Sequence, residues 1–320
     1  MSKKGNALTV LSIGDLVVDI VVSIPSLPVE AGGHQLANQI RLEPGGAGNF
    51  LIAGARLGME MVALGAIGDD PLGSSMLDVL VQEGIQTAGI VQQPDTSSTT
   101  VIVLVDAAGK HVFLGGYGEG PVVDIPGSWI AAVETAKAVF ALGYTLQEQR
   151  VAEAALQAMK RAHEAGIPVF FDPGPEMIKT TPDQITRVLE TSKVILLTEE
   201  EIPLMTGGAG GLEAARGLLP LGPRMICVKR GPLGCVLLTD GDTIEHPGYP
   251  VVVKDTTAAG DSFAAAFIYG YLNGWSMGDL AAFANAMGAA KVRKVGSGTQ
   301  VPTAADVREV LKTYQAGIVF

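Results

Sequence analysis

The residues Val253-Lys-Asp-Thr-Thr-Ala-Ala-Gly-Asp-Ser-Phe263 hold the densest chemistry in the sequence. Ahead of them, Tyr249–Val253 ends in consecutive valines and reads as a β-strand. Behind them, 262–272 mixes small and large apolar residues and reads as a buried helix. A strand that feeds a turn of small residues and then a helix points backbone N–H groups at whatever binds there. A helix N-terminus carries about half a positive charge and unpaired donors, which makes it an anion site. Asp261 lies inside that site. It reads either as a helix cap or first-turn carboxylate, or as a general base beside an anion hole of phosphate size.

Two other places could do chemistry. Asp15 follows Gly14 after the apolar run Leu8–Ile13. An Asp there is costly to bury unless it is used; the bland alternative is a turn residue. Pro44-Gly-Gly-Ala-Gly-Asn49 opens a helical pattern that runs to Gly58. Its glycines let a ligand approach the backbone. Asn49 can offer donor and acceptor to hydroxyls, or it can cap the helix. His34, His111, His163 and His246 are scattered and lack metal-ligand spacing; His34 alone falls where a substrate is expected. Cys227 and Cys235 sit in strand-like runs and read as reduced core residues. No Gly-x-x-x-x-Gly-Lys-Ser/Thr occurs, so a P-loop is excluded. No Gly-x-Gly-x-x-Gly follows the first strand, which weakens a dinucleotide site.

These residues need a scaffold. From Ala138 onward, apolar strand-like runs alternate with helical patterns as far as Thr239. Three helical patterns then follow. This predicts a three-layer α/β/α fold around a mainly parallel central sheet. Earlier, His34–Leu42 alternates like an exposed antiparallel strand. Thr99–Val105, the turn Asp106–Lys110 and His111–Leu114 read as a hairpin. Together these predict a small β-sheet lid with strands from about 16–43 and 97–118, placed over a site at the strand carboxyl ends. No linker of domain length interrupts the chain, so residues 1–320 read as one domain plus lid.

Composition narrows the partners. With 48% hydrophobic and 17% charged residues, the 320-residue chain can fill a sizeable core. A net charge of −11 without a Lys/Arg cluster argues against nucleic acid. It does not argue against an anionic small molecule, because amides and a metal act locally. The first residues do not resemble a signal peptide, and no run of 18 apolar residues predicts a membrane span. A cytoplasmic location is expected.

Asp255-Thr-Thr-Ala-Ala-Gly-Asp261 closely resembles the C-terminal signature of the ribokinase-like (PfkB) carbohydrate kinases, usually Asp-Thr-Thr-Gly-Ala-Gly-Asp. Ala258 stands where Gly is commonest; a positive φ there would cost Ala on the order of 1 kcal/mol. Gly45, Gly46 and Asn49, with Leu64–Gly73, resemble the N-terminal signature. Two residues separate Gly46 from Asn49 where three are commoner. The resemblance covers about residues 8–315.

It implies ATP- and Mg²⁺-dependent phosphoryl transfer to a hydroxymethyl group of a small sugar or sugar-like substrate. Asp261 would be the base, and the amides of Ala258, Ala259, Gly260 and Asp261 the anion hole. Asp15, Gly45, Gly46 and Asn49 would hold substrate hydroxyls. Lys229, Gly231 and Gly234 would meet the phosphate and ribose of ATP, and Asn285 the adenine. Glu201 would act indirectly on Mg²⁺, and Asp255 and Thr257 would lie by a monovalent cation such as K⁺.

The chain departs from the family at Thr198, where an Asn precedes the Glu201 equivalent, and at Gly174, where Asp172-Pro-Gly-Pro175 replaces an Asp-Pro-Asn-Pro-like segment. Without an Arg or Lys cluster near Asn49, a neutral acceptor is favoured over a sugar phosphate. A nucleoside kinase of the same family, a non-catalytic sugar or nucleotide sensor, and a nicotinamide-dependent reductase are the alternatives. Exposed lid edges predict a homodimer.

Overall fold

The computed structural model describes residues 8–14, 16–116, 125–147 and 149–320. Its elements run in the order β1 (Thr9–Ile13), β2 (Leu16–Ser23), β3 (Gln39–Gly46), α1 (Ala47–Arg56), β4 (Glu60–Gly68), α2 (Pro71–Gln82), β5 (Gln86–Gln93), β6 (Thr100–Val105) and β7 (His111–Gly116). There follow α3 (Gly127–Thr135), β8 (Ala138–Leu142), α4 (Gln149–Glu164), β9 (Val169–Asp172), α5 (Pro182–Thr191), β10 (Val194–Thr198), α6 (Ile202–Met205) and α7 (Gly211–Arg216). The last are β11 (Met225–Lys229), β12 (Cys235–Leu238), β13 (Thr243–His246), α8 (Ala259–Leu272), α9 (Met277–Val292) and α10 (Ala304–Thr313).

The large sheet has the order β13-β12-β11-β10-β9-β8-β1-β4-β5. It is parallel from β5 to β11, and β12 turns back antiparallel. Strands β8 and β9 are buried at every residue, as parallel strands covered on both faces must be. Successive side chains of a strand point to opposite faces. Phe170 accordingly packs with Phe50, Phe140 and Phe267 beneath α1, α8 and α9, while Phe171 packs with Trp129, Val188 and Met159 beneath α3–α7. This is the expected three-layer α/β/α arrangement. From β1 the chain builds outward through β4 and β5, then returns to β8 and builds the other way. That reversal opens a crevice at the strand carboxyl ends, where open α/β sheets bind ligands.

A second sheet has the order β3-β2-β6-β7. Its strands agree with the predicted lid segments, although β3 spans Gln39–Gly46 rather than His34–Leu42. His34 lies in the exposed loop before it. One face buries Val21, Val103 and Val105. On the other, Leu42, Ile20, Ile102 and Leu114 form a cross-strand row. Leu42, Ile102 and Leu114 of that row are exposed.

Tyr249–Val253 is not a strand. The strand here is β13, which ends at His246. Pro247 and Pro250 cannot donate to a ladder, and Val252 and Val253 are left exposed. An extended loop therefore leads into α8. That helix starts at Ala259, three residues earlier than the 262–272 pattern implied.

Candidate active site

Strands β9, β10 and β11 end at Asp172, Thr198 and Lys229, side by side at the sheet's carboxyl edge. The Lys229 Nζ donates to Asp172 Oδ2 at 2.6 Å, and both side chains are largely buried. A methyl group built on Gly260 would come within 3.6 Å of the same Nζ. The Lys229 ammonium therefore stands over the start of α8. Glu201 accepts from the Thr198 N–H at 2.7 Å. At 6% exposure it is no solvated helix-start carboxylate. Burial raises its carboxyl, Lys229 opposes that, and Asp172 adds to it.

Asp261 completes the cluster. Burial pushes its carboxyl up to about 7 and Asp172 adds to the push, while a hydrogen bond from Asn49 and the charge of Lys229 hold it back. Burial would by itself pull Lys229 down, but Asp172 and Glu201 more than offset it and hold the ammonium above its ordinary value. A carboxylate half-ionised near neutral pH is well placed as a base. Asp261 is the third residue of α8 and not its cap; the cap position is Ala258, with no side-chain hydrogen bond.

Of the four amides expected to form an anion hole, that of Ala259 is taken by the Thr256 carbonyl at 3.1 Å. Those of Ala258, Gly260 and Asp261 meet no acceptor among the described residues. Ala258 has φ 60° and ψ 15°, the left-handed region that favours glycine. The chain tolerates the strain anticipated for that position.

Asn49 sits in the first turn of α1, whose cap is Gly46. Its Oδ1 accepts from the Gly298 N–H at 2.7 Å. Beside it, Asp19 of β2 is buried, and its Oδ2 accepts from Ser297 Oγ at 2.6 Å. Burial raises Asp19 to about 6; the Ser297 bond lowers it and Glu43 adds to the rise. A Cβ on Gly45 would fall 2.2 Å from Asp19 Oδ1, so this carboxylate requires glycine there. Asp15 lies outside the described residues.

The sequence profile of the pfkB family carbohydrate kinases matches residues 7–304. The chain belongs to this family. A nucleoside kinase of Methanothermobacter thermautotrophicus is 25% identical over 307 residues, covering 96% of this chain and 95% of that protein. The mouse ribokinase is 26% identical over 311 residues, covering 94% of each. The solved structure of Arabidopsis thaliana ribokinase complexed with ribose and ATP superposes with a TM-score of 0.80 at 24% identity, covering 96% of this chain and 99% of that one.

On this PfkB scaffold the expected nucleotide residues run outward from Lys229. Cys235 pairs with Lys229 across β11 and β12. The Asn285 Nδ2 lies 3.3 Å from Cys235 Sγ and 3.0 Å from His246 Nδ1. Gly231 and Gly234 bound the short turn between β11 and β12. Gly174 has φ 68° and ψ 165°, a region essentially closed to other residues. Glycine at this departure is thus a backbone requirement.

Asp19 and Asp172 were not among the expected site residues. The signal existed: each is a carboxylate on a continuous apolar strand, where burial is costly unless the group is used. Among the described residues no three His, Cys, Asp or Glu converge as a metal site. Glu201 and Asp172 do fit Mg²⁺, which is commonly held by one or two carboxylates together with substrate phosphates.

A monovalent cation at Asp255 fits poorly. Asp255 Oδ1 accepts from Thr257 N–H and Oγ1 at 2.9 and 2.7 Å, and Oδ2 accepts from Gly296 N–H at 2.7 Å. The buried Lys291 ammonium already acts on that carboxylate.

Proposed function

We propose that the chain is an ATP- and Mg²⁺-dependent phosphotransferase acting on a hydroxymethyl group of a small neutral sugar or sugar-like acceptor. In this reading residues 1–320 are one catalytic domain and the small sheet is its lid. The observation that carries it is Asp261: a carboxylate raised to about 7 at the start of a helix whose Ala258, Gly260 and Asp261 amides face no acceptor, beneath the Lys229 ammonium.

Asp19 and Asn49 hold the acceptor hydroxyls. Asp261 takes the proton of the reacting hydroxyl as its oxygen bonds to the γ-phosphorus. The bond from that phosphorus to the β,γ-bridging oxygen breaks, and ADP leaves. The three amides and Lys229 meet the charge on the moving phosphoryl oxygens; one such donor is typically worth about 3–4 kcal/mol. Glu201 and Asp172 would hold Mg²⁺, which when bound would neutralise phosphate charge. Lys229, Gly231, Gly234 and Asn285 line the nucleotide side.

Arg41 is committed to the Val295 carbonyl and Glu43, and Arg56 to Glu83 and the Thr299 and Val301 carbonyls. Neither guanidinium is free for a phosphorylated acceptor. A nucleoside acceptor is the second reading, because the Methanothermobacter relative matched along 96% of this chain is a nucleoside kinase. The exposed row Leu42, Ile102 and Leu114 favours a homodimer through the lid; a sedimentation profile of monomer alone at micromolar concentration would refute it.

The deciding experiment follows ATP-to-ADP turnover with Mg²⁺ across neutral sugars, sugar acids, sugar phosphates and nucleosides. The expected result is turnover that depends on one neutral acceptor class. If no acceptor turns over while a sugar or nucleotide raises the melting temperature, the sensor reading replaces this one.

A further inference from the structure

Lys291 lies in the last turn of α9 with no exposed surface. Lysine is almost never fully buried without a partner. Among the described residues the one hydrogen bond of its ammonium goes to the Lys294 carbonyl at 3.1 Å. Burial pulls the ammonium down to about 8, Asp255 holds it up, Lys294 opposes it, and Asp261 supports it. It still carries its charge at neutral pH.

The chain around it is stitched in two places. The Lys254 and Asp255 amides both donate to the Val292 carbonyl, at 2.7 and 3.3 Å. Asp255 in turn accepts from Thr257 and from Gly296. One carboxylate and one carbonyl thus tie the loop entering the anion hole to the loop leaving α9. The other lysines nearby do not serve this junction. Lys294 Nζ is turned to Asp306 at 2.6 Å, and Lys254 is exposed. Lys291 is a fully buried ammonium in the field of Asp255, one residue from the Val292 carbonyl that the Asp255 amide meets.

We propose that Lys291 supplies, from within the chain, the positive charge that an exchangeable monovalent cation would otherwise supply beside Asp255, so that ordering of the anion-hole loop needs no K⁺. A tethered ammonium is always present and is not lost by dilution. The plainer role, a last-turn lysine that complements the helix dipole, carries no ion specificity, and this difference makes the two separable. The turnover arm of the test rests on the phosphotransferase reading; the melting arm does not.

Wild type and Lys291→Ala are compared at fixed ionic strength in choline, Na⁺, K⁺ and NH₄⁺ chlorides. Wild-type melting and turnover are expected to be the same in all four, turnover within about twofold. Lys291→Ala leaves a gap beside the Asp255 carboxylate and the Lys294 carbonyl, hard oxygen ligands that suit such ions. It is expected to melt several degrees higher in K⁺ or NH₄⁺ than in choline, because a ligand that binds only the folded state stabilises it. Its turnover should fall at least about tenfold in choline and recover in the same two salts, as expected if the anion hole must be ordered for charge stabilisation.

Wild-type turnover or melting that depends on K⁺ overturns the proposal. So does a folded Lys291→Ala indifferent to K⁺. If the variant folds in no salt, the wild-type comparison decides alone: indifference supports the proposal and dependence sinks it. If no acceptor is ever phosphorylated, the phosphotransferase reading fails while the melting comparison still stands.

Discussion

Asp255 and Asp261 bracket one short turn, yet they have opposite surroundings. Asp255 is 1% exposed, with both oxygens taken by Thr257 and Gly296 donors. Asp261 has the field of Asp172 against it and little besides Asn49 and Lys229 to hold its charge. The first carboxylate is satisfied and locks two loops together. The second is left under-satisfied beside amides that also lack acceptors. Free energy stored in unmet electrostatics is what a charged ligand can relieve, which is why the proposed chemistry is assigned to Asp261 and a structural role to Asp255.

The contrast can be broken at either end. Asp261→Asn should cut turnover by at least ~10², since general-base catalysis is commonly worth that much. It should leave the melting temperature unchanged or raised. Parallel rate and melting measurements showing a rate within tenfold of wild type would dismiss Asp261 as the base. Asp255→Ala should act the other way, costing about 3–5 kcal/mol in urea unfolding, because it strands buried donors and the Lys291 ammonium. A loss below about 1 kcal/mol, within the range of an exposed ion pair, would show that the junction is not structural.

The pH dependence sharpens the same contrast. With Asp261 as the proposed base, its ionised form is the active one, and kcat/KM should then rise about tenfold per pH unit on the acid side and level off above about 7. Asp261→Asn should lose that limb. Stability has the opposite sign. A carboxyl raised in the folded state stabilises below the ordinary carboxylate range, and the contribution is lost as pH rises through about 7. The Asn variant should therefore gain on wild type from pH 5 to 8 in melting experiments. The smallest effect is expected of Ala258→Gly, which relieves a φ of 60° and should add about 0.5–1 kcal/mol of stability. A loss of stability would mean that Ala258 is not strained.

Much of the scaffold is legible in the sequence. Ala138–Leu142 and Val194–Leu197 are continuous apolar runs, and only a strand covered on both faces needs such a run. The hairpin around Asp106–Lys110 was readable from its alternation and turn residues. Tyr249–Val253 misled because β-branched residues report a preference, while Pro247 and Pro250 remove the donors that a strand requires. The partners of two buried carboxylates are not legible in the sequence for a different reason. Asp19 is satisfied by Ser297, 278 residues away, and Asp172 by Lys229, 57 residues away. No local pattern announces such partners.

The sequence by itself determined the strand–helix alternation from Ala138 to Thr239, the small-residue turn before α8 and the chemical types gathered there, because periodicity, turn chemistry and residue identity are local properties. Tertiary structure alone decided which amides stay open, that Ala259 spends its N–H on Thr256, that Gly174 must be glycine, and that Lys291 is buried near Asp255. Those outcomes depend on burial and on distances between segments remote in the chain, and burial and distance set the electrostatics of the site.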